Sequence, residues 1–96
     1  MHVFKLSQPL PELEAIGSVS LLGATPTEGD PQVAARMVYG APGDAFTCGI
    51  FSATRGGFAM TYPFTEHATV LEGEVELTVA GGEPQRFVPG DSWFVK

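Results

Sequence analysis

Between Glu74 and Val79 the apolar residues Val75, Leu77 and Val79 take turns with Glu74, Glu76 and Thr78. This period-two alternation predicts a strand with one wet face. Short runs bounded by turn residues predict further strands at Arg36 to Tyr39, Ala45 to Thr54, Phe58 to Tyr62, Glu66 to Leu71, Gln85 to Val88 and Ser92 to Val95. Between them lie Gly40 to Asp44, a bend at Glu72-Gly73, a loop at Ala80 to Pro84 and a turn at Pro89-Gly90-Asp91. Across Arg55-Gly56-Gly57 the chain is expected to reverse, pairing Ala45 to Thr54 with Phe58 to Tyr62 as a hairpin. No window carries apolar residues at helical spacing for three turns, so the expected class is all-β.

Residues 1–35 follow a different pattern. Pro9, Pro11, Pro26 and Pro31 interrupt them, leaving Val3 to Leu6 and Ser18 to Leu22 as short strands and Pro11 to Ala15 as a single helical turn with proline at its start. The expected organisation is one domain over residues 1–96, with 1–35 as an N-terminal arm and 36–96 as barrel strands.

Composition narrows the function classes. Hydrophobic residues make up 44% and charged residues 17%, enough apolar surface for a packed core and too little charge for a disordered chain. Eleven acidic against five basic residues give a net charge of −6, and Lys5, Arg36, Arg55, Arg86 and Lys96 form no cluster, so no nucleic-acid partner is expected. No apolar run reaches the about 18 residues of a membrane span, and Met1 to Leu6 lacks the make-up of a signal peptide. A cytosolic protein with no membrane partner is the expectation. Cys48 is the only cysteine; it can form no internal disulfide and is expected as a small buried hydrophobe.

Glu66, the run from Val70 to Leu77, the pair Gly81-Gly82 and the run from Phe87 to Ser92 resemble the first conserved motif and inter-motif hairpin of the cupins. More narrowly, Gly49 to Thr54 with Gly56-Gly57-Phe58 and Tyr62-Pro63 resembles small cupins related to ethanolamine-utilisation and ureidoglycine aminohydrolase-like proteins. The resemblance spans roughly Arg36 to Val95. It implies a cupin-type jelly-roll β-barrel, the double-stranded β-helix, here shortened at its C-terminus.

Metal-binding members of that family carry two histidines and a glutamate in the first motif, and a further histidine in the second. Glu66, seven residues before Gly73, falls on the glutamate, whereas Met60 and Tyr62 fall where the histidines belong and Lys96 stands before the second motif is complete. A transition metal needs about three or four such ligands, so no metal and no cofactor are expected. His67 adjoins Glu66, points to the opposite face of a regular strand, and is not expected to replace them. His2 lies in a terminal segment and is assigned no role.

By the family register Met60, Tyr62, Glu66, Ala68 and Val70 face inward, and Met60, Tyr62, Glu66 and Trp93 are the candidate ligand-binding residues. Desolvation disfavours an ionised carboxylate in an apolar interior, so Glu66 is the candidate catalytic acid or base, or the anchor for a polar ligand. Glu72, Glu74 and Glu76 are expected on a solvated face, and Asp91 is expected to bond nearby backbone amides in its turn. Three functions stay open: a metal-free small-molecule-binding cupin, an enzyme acting on a small nitrogenous or carbonyl metabolite, and a degenerate domain that only self-associates. Open strand edges make a homodimer the expected assembly.

Overall fold

The computed structural model describes residues 1–96 as an all-β chain in which every strand pair is antiparallel. It forms two units, one of Leu10–Thr61 with His2, the other of Tyr62–Lys96 with Met1 and Val3–Pro9. No helix is long and apolar enough to cross a membrane.

The Leu10–Thr61 unit contains β1 (Glu14–Ser18), a 3₁₀ turn (Val19–Leu22), β2 (Thr25–Glu28), β3 (Gln32–Tyr39), β4 (Cys48–Ala53) and β5 (Gly57–Ala59). A three-stranded sheet has the order β1-β3-β4, and β2 pairs with β5 in a second sheet. The centre is a long hairpin running from Val33 opposite Ala53 to Tyr39 opposite Cys48. Asp44 closes its turn, accepting from the Ala41 amide at 2.9 Å and donating its own amide to the Ala41 carbonyl at 3.0 Å.

Both arms of this hairpin turn a corner together. The Thr54 amide donates to the Gln32 carbonyl at 2.9 Å and the Gln32 amide donates to Thr54 Oγ1 at 2.8 Å, after which β2 and β5 continue the pairing in the other sheet. Gly56 at the corner has φ +148°, and a Cβ on it would stand 2.7 Å from the Glu28 carbonyl oxygen and 2.8 Å from Pro31 Cγ. That is why Arg55-Gly56-Gly57 is a corner and not the expected reversal: β4 pairs with β3, and β5 with β2. Arms that shift jointly from sheet to sheet build a jelly roll.

Several N-terminal expectations are overturned. Val3 to Leu6 forms no strand, Ser18 to Leu22 is a cap and 3₁₀ turn, and the expected helical turn at Pro11 to Ala15 gives way to β1 from Glu14. Ser18 caps the turn, its Oγ accepting from the Ser20 amide at 3.2 Å and donating to Asp30 Oδ1 at 2.6 Å. This competition for backbone partners draws the residues after Ser18 out of an extended conformation. The segment expected as an arm supplies the buried cluster Val19, Ala24 and Val33, against which Phe58 and Met60 pack. Cys48, expected to be buried, is exposed, because it lies at the turn end of β4.

The Tyr62–Lys96 unit repeats the plan with β6 (Glu66–Thr69), β7 (Val75–Leu77), β8 (Gln85–Phe87) and β9 (Ser92–Val95). The inner pair is β7 with β8 and the outer pair β6 with β9. The β7 strand ends before Thr78, so Val79, expected on the apolar face, is 74% exposed. Its Val79 carbonyl instead accepts from the Gly82 amide at 2.7 Å to close the loop.

At the corner the Val70 amide donates to the Asp91 carbonyl, and the Gly90 amide to the Val70 carbonyl, both at 2.9 Å. Asp91 Oδ2 accepts from the Val88 amide at 3.0 Å, the structural role expected of it. Glu72, Glu74 and Glu76 are exposed, and Glu74 pairs with Arg86.

Candidate functional site

The candidate site lies on the β6–β9 sheet of the Tyr62–Lys96 unit. Glu66 stands opposite Val95 and Ala68 opposite Trp93. Residues directly opposite one another share a face, as do residues two apart along a strand, so Glu66, Ala68, Trp93 and Val95 form one face. The other face carries His67, Thr69, Ser92 and Phe94. The first set is partly buried and the second exposed, which is the alternation expected when one face of a sheet leaves water. His67 points away from Glu66, as its neighbouring position predicts.

Two polar atoms on the sheltered face lack partners. Glu66 Oε2 and Trp93 Nε1 are both buried and hydrogen-bonded to nothing. They occupy diagonal positions across the ladder, where long and aromatic side chains reach one another. Tyr62 lies beside Glu66. Burial, and then the neighbouring Glu66 carboxylate, raise its phenol above the ordinary value of 10.0, so it stays protonated through the neutral range.

Two aromatic contacts involve these residues. The rings of Phe87 and Trp93 meet edge to face with centroids 5.2 Å apart, and Tyr62 and Phe64 lie tilted at 5.2 Å. Phe87 went unnoticed as a site residue in the sequence, although its place at the inward end of Gln85-Arg86-Phe87 signals it. Of the four residues expected to bind a ligand, Tyr62, Glu66 and Trp93 belong to this unit. Met60 belongs to the other, where it packs on the Val19 cluster and lines a shallow depression with Gly23, Thr25, Ala59 and Thr61.

The donors at hand do not suit a transition metal. No three His, Cys, Asp or Glu side chains converge anywhere in the chain. At Glu66 the available neighbours are a phenol that resists deprotonation and an indole N–H, which has no lone pair to offer. One carboxylate is too few for such an ion.

Comparison with protein-family models matches residues 40–96 to the EutQ-like cupin domain. The chain belongs to the cupins. The matched part of this cupin runs from the β3–β4 turn through β4 and β5 to the end of β9, and so contains the whole candidate site. Its antiparallel strands and paired corners are those of the cupin-type β fold. Neither curated proteins nor solved structures give a match.

Proposed function

We propose that this cupin binds a small polar molecule on the Glu66 face of the β6–β9 sheet, with no transition metal and no other cofactor. One observation carries the reading: Glu66 Oε2 is buried and has no hydrogen-bond partner. A buried acceptor left in that state costs about 1–3 kcal/mol, more when charged, and a ligand N–H or O–H would recover it. Tyr62 and Trp93 flank the carboxylate with aromatic surface, which suits a small molecule with one polar edge.

The test is a thermal-shift screen of small polar metabolites on chelator-treated protein, repeated with Glu66→Ala. Ligands that raise the melting temperature of the parent and not of the variant support the reading. Binding that appears only after divalent metal is restored sinks it.

Self-association belongs to the same proposal and rests on β4. This strand has β3 on one side and no strand on the other. Cys48–Ala53 contains no charge and no proline, whereas the opposite edge, β1, carries Glu14 and a bulge at Ile16. Charges and bulges are what keep an edge from pairing, so β1 is guarded and β4 is not. The occupant proposed for the β4 edge is the β4 of a second copy, antiparallel across a two-fold axis.

A further inference from the structure

Resting on the β4 pairing proposed above, we infer that the two-fold axis passes through Ile50, so that Phe51 of the second copy lies over Gly49 and against the Met37 thioether. Hydrogen-bonding parity limits where the axis can fall. The Thr54 amide donates to the Gln32 carbonyl, and from there the register runs unbroken to Met37 opposite Gly49, so Ser52 and Ile50 spend their backbone groups on β3. Gly49, Phe51 and Ala53 turn theirs to the open edge, and only these can form the hydrogen-bonded pairs of a new antiparallel ladder. An axis between two residues would pair an outward group with an inward one. The axes that keep most of the six-residue strand paired pass through Ile50 or Phe51.

Side chains choose between the two. Gly49 stands opposite Met37, and Met37 Sδ lies 3.2 Å from where a Cβ on the glycine would be, so the thioether leans across Gly49 toward the edge. Phe51, two residues along β4, shares this face. It is 52% exposed, and Met37 is 40% exposed. With the axis on Ile50, Phe51 of each copy falls opposite Gly49 of the other, where no side chain blocks the ring and the Met37 sulfur meets it. Both exposed apolar groups are covered at once. With the axis on Phe51, the two rings share one row, Gly49 faces Ala53, and Met37 stays exposed. The row Ala35, Phe51, Gly49, Met37 also carries no charge, which suits the approach of two copies that each have a net charge of −6.

On the Ile50 axis, Cys48 stands opposite Ser52 of the second copy in a pair without hydrogen bonds, whose Cα separation of about 4.5 Å suits a disulfide. Both residues are exposed. Full-length Ser52→Cys is treated with oxidised glutathione beside the parent and Thr54→Cys, each checked for folding by circular dichroism. Ser52→Cys is expected to form a covalent dimer at least about ten-fold faster than the other two, with peptide mapping placing the bond between positions 48 and 52. In sedimentation, Met37→Ala is expected to weaken the dimer about three- to ten-fold through the loss of two sulfur–ring contacts.

Cross-linking of Thr54→Cys in place of Ser52→Cys puts the axis on Phe51, which overturns the inference and leaves the β4 pairing standing. An unchanged dissociation constant in Met37→Ala overturns the inference in the same way. A sedimenting dimer that neither variant cross-links overturns the inference and the β4 pairing together, as does a monomer.

Discussion

Gly56 and Pro31 meet so closely at the corner of the first hairpin that a Cβ on the glycine would come 2.8 Å from the proline Cγ. Pro31 is buried beneath the chain, and its carbonyl accepts from the Val19 amide at 2.9 Å, tying the corner to the most buried side chain of that unit. The contact is what lets the β3–β4 pairing pass into β2–β5 without reversing.

Gly56→Ala is therefore expected to cost about 2–3 kcal/mol, combining an unfavourable backbone conformation with backbone and ring clashes. Gly73 provides the control. Its φ is +77°, yet nothing lies within 4 Å of a Cβ there, so Gly73→Ala is expected to cost only the left-handed penalty of about 1–2 kcal/mol. Urea denaturation of both variants checks the ranking, and equal losses would contradict it.

The second half of the chain was legible because its signals are local. Pro89-Gly90-Asp91 specifies its own turn through the Asp91 side chain, and Glu66-His67-Ala68 sorts its faces by alternation alone. The first half was harder to read. Ser18 to Leu22 has the composition of a strand, but the Ser18 cap and Asp30 turn it into a 3₁₀ segment. The Gly56 corner looked like a hairpin turn because what decides it, the approach of Pro31 and Glu28, is 25 or more residues away in sequence. In the site, Glu66 and Tyr62 were visible through the resemblance to the cupin motif, which sets their register against Gly73. The unpartnered Trp93 Nε1 was not, since it depends on the β6–β9 register.

Tyr62 predicts an alkaline loss of stability. Its phenol is raised above 10.0 in the folded protein, first by burial and then by Glu66, so the unfolded chain releases this proton at a lower pH than the folded one. The contribution is complete below 10.0 and disappears as pH rises through the folded value, because there the unfolded state binds fewer protons. Denaturation midpoints are expected to fall on the alkaline side of 10.0 in the parent and less so in Tyr62→Phe. Glu66→Gln is expected to reduce the effect only in part, burial being the larger cause. Ultraviolet titration of the two tyrosines, Tyr39 and Tyr62, measures the shift directly.

Asp91→Ala removes the acceptor that holds the Val88 amide at 3.0 Å and loosens the corner leading into β9. The expected loss is about 1 kcal/mol, the usual worth of a side-chain bond to an otherwise free backbone donor. Trp93 sits two residues along, so its fluorescence should shift toward that of a wetter indole. A destabilised variant with unchanged emission would show that the corner and the site are independent.

Self-association through β4 makes the sharpest demand on the structure. The Thr54 amide points to β3, and strand alternation then turns the amides and carbonyls of Gly49, Phe51 and Ala53 outward, toward the open edge. Sedimentation at micromolar concentration is expected to give a dimer, and Phe51→Lys, which places a charge on an exposed part of that edge, a monomer with an unchanged circular dichroism spectrum. Cys48 offers a second reading on the same strand: its exposed thiol should label more slowly as protein concentration rises in the parent, and at constant rate in Phe51→Lys. A parent that sediments as a monomer, with a thiol indifferent to concentration, rules out the β4 pairing.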